Sequence, residues 1–221
     1  MSRAVRRVRA RPRDEGWTLI ELMVSMSIFI ALLTIVFSLL VTMSQQTADN
    51  MSRSQQVAEV RLGLSQIDRQ VRSGNVISDP NLETYANSGV PVNYSLRVYT
   101  QTDGTNRCAQ WRVIFPSGPP TGTGGELQFR SWQTDWLSTG VVTAWRVVAR
   151  DLVMPTPPTD TPFQRVTAPA SSIAQSVQVT LQVKAPGSRS ASAPTVIATV
   201  LTGRNTIFGY PADECAAVPT P

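Results

Sequence analysis

The sequence predicts an α+β fold in which a long N-terminal helix packs on a mainly antiparallel β-sheet. Three observations support this fold class. An uncharged apolar run covers Leu22–Met43, and a helical apolar stripe follows it over residues 57–71. After about residue 75 the chain changes to alternating, strand-like segments that are punctuated by Pro, Gly, Ser and Thr.

The apolar run is the first element. Leu22–Met43 contains 22 residues without Asp, Glu, Lys or Arg, which as a helix is long enough to cross a hydrocarbon layer of roughly 30 Å. It exceeds the apolar core of about 7–15 residues found in cleaved secretory signals, and no small-residue cleavage site follows it. We therefore expect a retained membrane helix.

The residues before this run predict its orientation. Only two acids, Asp14 and Glu15, offset six arginines, which are Arg3, Arg6, Arg7, Arg9, Arg11 and Arg13. By the positive-inside rule, residues 1–16 stay in the cytoplasm and the C-terminal part is exported. The expected location is a single-pass cell-membrane protein, N-in and C-out, with an extracytoplasmic domain.

The helix is expected to continue beyond the membrane. One apolar stripe is formed by Val57, Val60, Leu64, Ile67 and Val71, at the spacing of an amphipathic helix. We expect the helix to run from about residue 17 to residue 72 and to end at residues 73–75, where a glycine follows the last turn. The stripe packs either on a sheet or, as the alternative, in a short coiled coil.

The chain after about residue 75 is predicted to form β-strands. In Ser176–Lys184, apolar residues at odd positions alternate with polar residues at even positions, as in a half-buried antiparallel strand. A partner strand is predicted at Thr195–Thr202, after a loop rich in Pro and small residues. Earlier predicted strands are Tyr94–Thr100, Gln110–Phe115, Glu126–Trp132 and Val141–Val148.

One carboxylate stands at the start of the apolar run. Glu21 lies five residues after Gly16, within the string GWTLIELMVSMSIFIALL. A glutamate is costly in lipid, so it requires either a partner or an escape to the headgroup region by snorkelling. The string resembles the class III signal of type IV prepilins and pseudopilins, which combines a basic leader, a glycine, a hydrophobic first mature residue and glutamate at mature position five.

This resemblance implies specific processing and partners. A prepilin peptidase would cut after Gly16 and methylate the new amino group of Trp17, and Glu21 would neutralise the amine of a neighbouring subunit during filament assembly. Other pilin or pseudopilin subunits and an inner-membrane assembly platform are the implied partners. Most relatives carry Phe where this chain has Trp17, and many major pilins have a proline within the span 17–43, which here has none.

The lack of proline favours a minor subunit, with an element order like that of J-like pseudopilins. The implied segments are a leader over 1–16, a transmembrane assembly helix over 17–43, an amphipathic helix over 44–74 and a pilin-like β-rich domain over 75–221. The machine would be a type IV pilus, as in competence, or a pseudopilus of protein secretion. The alternative is a signal-anchored extracytoplasmic binding or sensor domain that never enters a filament.

Small residues recur along one face of the apolar run. The set comprises Ser27, Ala31, Thr34, Ser38 and Thr42. Such a face lets helices approach closely. Alternatively, its hydroxyls bond back to carbonyls of their own helix.

The sequence contains two cysteines, Cys108 and Cys215, both in the part expected to be exported. We expect them to form a disulfide, which an extracytoplasmic compartment permits and which would tie the tail to the early sheet. Two unpaired thiols are the alternative, and a metal site is disfavoured because the chain has no histidine.

Charge and residue chemistry argue against several function classes. Removing residues 1–16 takes away six arginines and two acids from the 20 basic and 15 acidic residues, leaving 14 against 13. A near-neutral mature chain gives little reason to expect nucleic-acid binding through long-range attraction. Without histidine, and without a recognisable catalytic motif, we expect no enzyme activity, no catalytic residues, no cofactor and no metal.

Two further groups have open interpretations. Four arginines lie in strand-like segments, and we expect them on a solvated face rather than in a nucleic-acid surface: Arg97, Arg112, Arg130 and Arg146. Four tryptophans are expected in the sheet core or at its edge, with a carbohydrate or partner platform as the alternative: Trp111, Trp132, Trp136 and Trp145.

Overall fold

A single helix, α1, covers Leu19–Ser73 in the computed structural model. The structure describes residues 18–101, 104–116, 124–155, 160–167, 173–184 and 193–221. Residues up to Ala48 and residues Asp49–Pro221 form two separate units, and each is described by itself. The predicted continuous helix is confirmed to within two residues at either end.

Eight strands form one antiparallel sheet. Their bounds are β1 Gly74–Ile77, β2 Ser95–Thr100, β3 Arg107–Ile114, β4 Gly125–Gln133, β5 Arg146–Leu152, β6 Phe163–Val166, β7 Ser176–Val183 and β8 Thr195–Thr202. The order is β1-β2-β3-β4-β5-β7-β6, and β8 pairs with β7. The predicted α+β fold class is therefore correct.

Short elements connect the strands. Two 3₁₀ turns cover Pro80–Leu82 and Asn205–Phe208, and two single-turn helices, α2 and α3, cover Tyr85–Ser88 and Trp136–Thr139. In α2, the cap residue Gly89 adopts the left-handed conformation with φ 72°.

The stripe of α1 packs on the sheet rather than in a coiled coil. Val60, Ile67 and Val71 are fully buried and join a core cluster with residues of β2, β3, β4 and β7. Val57 and Leu64 pack partly against the same cluster. Gln56, expected on the wet side, is instead buried, and its Nε2 donates to Asp151 Oδ2 at 3.0 Å.

Gly74, at the end of α1, is closely surrounded by other atoms. Gly74 follows the last helical residue, and a Cβ at this position would lie 2.6 Å from Val98 Cγ1 and 3.1 Å from the carbonyl oxygen of Val71. Any larger residue would push β1 away from β2. The predicted stop at residues 73–75 is confirmed, since α1 ends at Ser73.

Most predicted strands are present, with shifted ends. The strand at Thr195–Thr202 has the predicted bounds, whereas the one predicted at Val141–Val148 is wrong in position and lies at Arg146–Leu152. Val142 makes only an isolated bridge to Trp132. The sequence reading missed β1 and β6, which are four residues each.

Candidate functional site

The predicted cleavage point lies just before the first described residue. Gly16 and Trp17 lie outside the described residues, which begin at Thr18. Glu21 lies in the first turn of α1, where its backbone N–H donates to the Thr18 carbonyl oxygen at 3.0 Å. Within the part of the chain that the structure describes, no cation forms an ion pair with Glu21.

The first part of α1 presents an exposed apolar surface. Every residue from Thr18 to Met51 is exposed, and an 18-residue window of this helix reaches a mean hydropathy of 2.6 with none of it buried. Among the described residues this is one helix long and apolar enough, by length and composition, to cross a membrane. Membrane association is consistent with this surface.

The hydroxyls on the small face bond within the helix. Ser27 and Ser38 donate to carbonyl oxygens three residues earlier, each at 2.8 Å. Thr34 and Thr42 donate to carbonyl oxygens four residues earlier, also at 2.8 Å. The back-bonding alternative is therefore observed, and it leaves this face with few free donors for a neighbouring helix.

The two cysteines form a disulfide. Cys108 in β3 and Cys215 in the C-terminal segment, residues 209–221, have Cα atoms 5.8 Å apart and are separated by 107 residues. Both are buried, in a cluster that includes Val76, Tyr99 and Trp132. The predicted pairing is confirmed, and it fits a single-pass membrane protein whose domain lies in an oxidising compartment.

Strand register brings polar residues into rows beside this disulfide. The sheet face opposite α1 carries three cross-strand rows through β2, β3 and β4: Tyr99–Cys108–Trp132, Arg97–Gln110–Arg130 and Ser95–Arg112–Gln128. Directly opposed residues share a face. The C-terminal segment and residues 79–94 cover these rows.

Three arginines expected on a solvated face are buried there, which corrects the sequence reading. Arg97 and Arg112 are 9% exposed and Arg130 is 2% exposed, whereas Arg146 is exposed. The C-terminal segment, held by the disulfide, covers Arg97 and Arg130, whereas Arg112 donates to the Ser88 carbonyl oxygen and lies over the ring of Trp145. Arg97 Nη1 donates to the Cys215 carbonyl oxygen at 2.9 Å, and Arg130 donates to those of Pro219 and Thr220 at 2.9 and 2.7 Å.

One carboxylate lies among these guanidinium groups. Glu83 is fully buried, and its Oε1 lies 2.7 Å from Arg97 Nη2. Burial raises the pKa of Glu83, while Arg97, Gln110 and Arg130 oppose that rise. Burial, with the charge of Arg112 second, lowers the pKa of Arg130 to about 10. Each charged group is held at a desolvation cost, so its partners matter for stability.

Aromatic rings complete this cluster. The guanidinium carbon of Arg112 lies 3.8 Å from the ring centroid of Trp145, and that of Arg130 lies 4.4 Å from it. Trp111 and Trp132 are buried, and Trp136 donates to the Ala217 carbonyl oxygen at 3.1 Å. The four tryptophans are thus structural, as core and as cover, and do not form an exposed platform.

Glu83 and Gln110 are the members that sequence reasoning missed. Gln110 Nε2 donates to Glu83 Oε2 at 3.2 Å, and Gln110 Oε1 accepts from Arg130 Nε at 2.9 Å. The sequence does contain a signal for Gln110. It lies two residues after Cys108 on β3, so both side chains lie on the same face of the sheet. A half-cystine is normally buried, so its strand face had to be covered.

No protein-family model, curated protein or solved structure matches this chain. Function is therefore inferred from the residues themselves, namely the acid at the start of the exposed apolar helix and the surfaces of the disulfide-bonded domain.

Proposed function

We propose that this protein is a minor pilin or pseudopilin, a subunit that enters a type IV pilus or a type II secretion-like pseudopilus through its N-terminal helix. One observation carries the proposal. Glu21 stands five residues beyond Gly16, at the start of an apolar run with no other charge. In this proposal the lone carboxylate takes a positive partner rather than snorkelling to the headgroup region.

Processing would create that partner. Cleavage after Gly16 leaves a charged amine on Trp17, next to or within the bilayer, where opposite charges attract more strongly than in water. Glu21 of one subunit then neutralises the amine of its neighbour as the helices move from lipid into the filament. The exposed apolar surface of residues 22–43 provides the contact area between subunits.

The rest of the chain supports a role outside the cytoplasm. Six arginines precede the helix, which favours an N-in orientation, and the Cys108–Cys215 disulfide belongs to an oxidising compartment. In this proposal the domain primes assembly or occupies the tip, while the prepilin peptidase processes the chain and an inner-membrane platform assembles it. The function is mechanical and recognitional rather than catalytic.

Mass spectrometry of the membrane-extracted protein tests this proposal. We expect an N-terminus at Trp17 that carries one methyl group, and a Gly16→Leu variant should retain its leader because the bulky side chain obstructs the cleavage point. Cells that lack the prepilin peptidase serve as the control. An intact start at Met1 or Ser2 in cells with an active peptidase would contradict the proposal.

The second candidate is a signal-anchored binding or sensor domain. The same exposed apolar helix and the same disulfide would serve a protein that stays in the membrane. The N-terminus separates the two candidates, because a simple anchor keeps its basic leader.

A further inference from the structure

The strand β8 forms an unpaired edge of the sheet within the part of the chain that the structure describes. It pairs with β7 over all eight of its residues, and no described strand lies on its other side. Two other described strands, β1 and β6, also have one partner each, but they are only four residues long. An edge as long as β8 presents a row of backbone groups that can receive another strand.

The pairing with β7 shows which backbone groups of β8 point outward. Thr180 in β7 lies opposite Ala198, and its N–H donates to the Pro162 carbonyl oxygen at 2.9 Å, away from β8. Opposed residues in an antiparallel pair either exchange both backbone bonds or neither. The N–H and C=O of Ala198 therefore point away from β7, and by the period of two so do those of Val196 and Val200. No hydrogen bond between described residues engages these outward groups.

The strand β8 lacks the features that usually protect an exposed edge. Natural edge strands are short, carry charges or proline, or are twisted away by a bulge. Thr195–Thr202 contains no charged residue and no proline, and its register with β7 is unbroken. Its outer face carries Val196 and Val200, which are 55% and 54% exposed, with Ala198 exposed between them. A strand that fits this edge is therefore uncharged and apolar along the same row.

The exposed row of β8 is symmetric about its middle residue. The order Val196, Ala198, Val200 is the same when it is read in either direction. Two copies of the strand can therefore pair antiparallel about a two-fold axis at Ala198, which places Val196 of one copy opposite Val200 of the other. The outward N–H and C=O groups then bond to each other across the axis. Such a contact uses the same surface on both copies and closes at two subunits.

We propose that β8 pairs with β8 of a second copy of this chain, so that the sheets of two domains join at this edge. The absence of charge from Thr195–Thr202 means that the two strands approach without like-charge repulsion and without desolvating an ion. Two single strands bury less than the roughly 1,200 Å² of a stable interface, so the dimer is weak and reversible. The inference does not depend on whether the protein enters a filament.

Site-specific crosslinking of the full-length protein in micelles tests the contact and its register. In Ala198→Cys the two new thiols face each other, with Cα atoms about 5.5 Å apart, and a bifunctional maleimide with a short spacer should join them into a dimer. In Val200→Cys the two thiols lie four residues out of register, about 14 Å apart, and should crosslink at least tenfold more slowly. Val92→Cys is the matched control, because Val92 is 47% exposed and lies outside the strand; it should not crosslink.

A charge variant separates pairing at β8 from association through the apolar helix. Ala198→Lys places two like charges opposite each other and should reduce the dimer fraction in sedimentation about tenfold, whereas Val92→Lys should not change it. Ala198 is exposed, so the thermal unfolding midpoint should stay the same. The proposal is overturned if Ala198→Cys forms no dimer, if Val200→Cys crosslinks as fast, or if Ala198→Lys leaves the dimer fraction unchanged. It is also overturned if the mass of the Ala198→Cys adduct in intact membranes shows a different protein and no second copy.

Discussion

The two parts of α1 differ in what covers their apolar side chains. In residues 19–48 all side chains are exposed, including Ile30 at 62%. In residues 49–73 the apolar stripe is covered by the sheet, and Ile67 is fully buried. Helical geometry is the same in both parts, so the difference lies in how apolar residues are distributed around the axis.

That distribution explains the different environments. The second part has apolar residues on one stripe, which suits one sheet below and water above. The first part is apolar on all sides, and a helix of this kind needs lipid or other helices around it. The apolar stripe of residues 49–73 is covered within the domain, whereas the apolar side chains of residues 19–48 are exposed.

The largest effect should come from the disulfide that closes the domain. Replacing Cys108 and Cys215 together with serine removes a link across 107 residues, and the chain-entropy model gives a loss of about 4–5 kcal/mol in the free energy of unfolding. Denaturant unfolding of the full-length protein in micelles, followed by fluorescence of the buried Trp111 and Trp132, measures this loss. A reducing agent should destabilise the wild type and leave the double variant unchanged; equal sensitivity of both would contradict the assignment.

A smaller loss is expected from the buried ion pair. Glu83→Ala leaves Arg97, whose side chain is 11% exposed, without its carboxylate, and we expect a loss of about 3–4 kcal/mol. The matched control is Glu126→Ala, which breaks the pair with Arg150, 63% exposed, and should cost about 0.2–1 kcal/mol. Unfolding midpoints of the two variants would contradict this reading if they shifted equally.

The comparison within α1 is tested by one pair of isoleucines. Ile67→Ala should destabilise the domain by about 3 kcal/mol, since it removes buried methyl groups and leaves a cavity. Ile30→Ala deletes the same atoms from an exposed position and should not change domain unfolding. If both variants lowered the unfolding midpoint alike, the two parts of the helix would not be independent in stability.

The smallest effect concerns pH. Burial raises the pKa of Glu83 above its ordinary value of 4.5, so the folded protein holds this proton to a higher pH than the unfolded chain. Its contribution to stability is therefore fully present below the unfolded pKa and is lost as pH rises through the folded pKa. Glu83→Gln keeps the shape and cannot titrate, so it should flatten the stability–pH profile in that acidic window. A profile parallel to that of the wild type would contradict the raised pKa.

Much of the fold follows from periodicity. The stripe through Val60 and Ile67 and the alternation in Ser176–Lys184 gave α1 and β7 correctly, because each pattern reports one buried face. The strands β1 and β6 were missed because four residues are too few to show a period. The strand predicted at Val141–Val148 begins only at Arg146, and the Trp145 ring just before it lies against Arg112 and Arg130.

The polar cluster was not predictable in the same way. Alternation indicates that Arg97, Arg112 and Arg130 face away from their apolar neighbours, and it predicts a solvated face for them. The burial of Arg97 and Arg130 depends on a segment that follows them by 89 to 118 residues and that Cys215 ties to the sheet. A local pattern does not show that a distant segment covers a strand face. The one indication is that Cys108, which is expected to be buried, lies on the same face of β3 as Gln110.

In the proposed function, Glu21 acts in subunit assembly through its charge. Glu21→Gln keeps the size and hydrogen-bonding reach of the side chain and removes the charge. The measurement is the amount of this variant in sheared filaments, or crosslinked to co-purifying pilins, relative to the amount in the membrane. We predict that Glu21→Gln is inserted and processed at Trp17 but is lost from the filament fraction, whereas incorporation at the wild-type level would contradict the account.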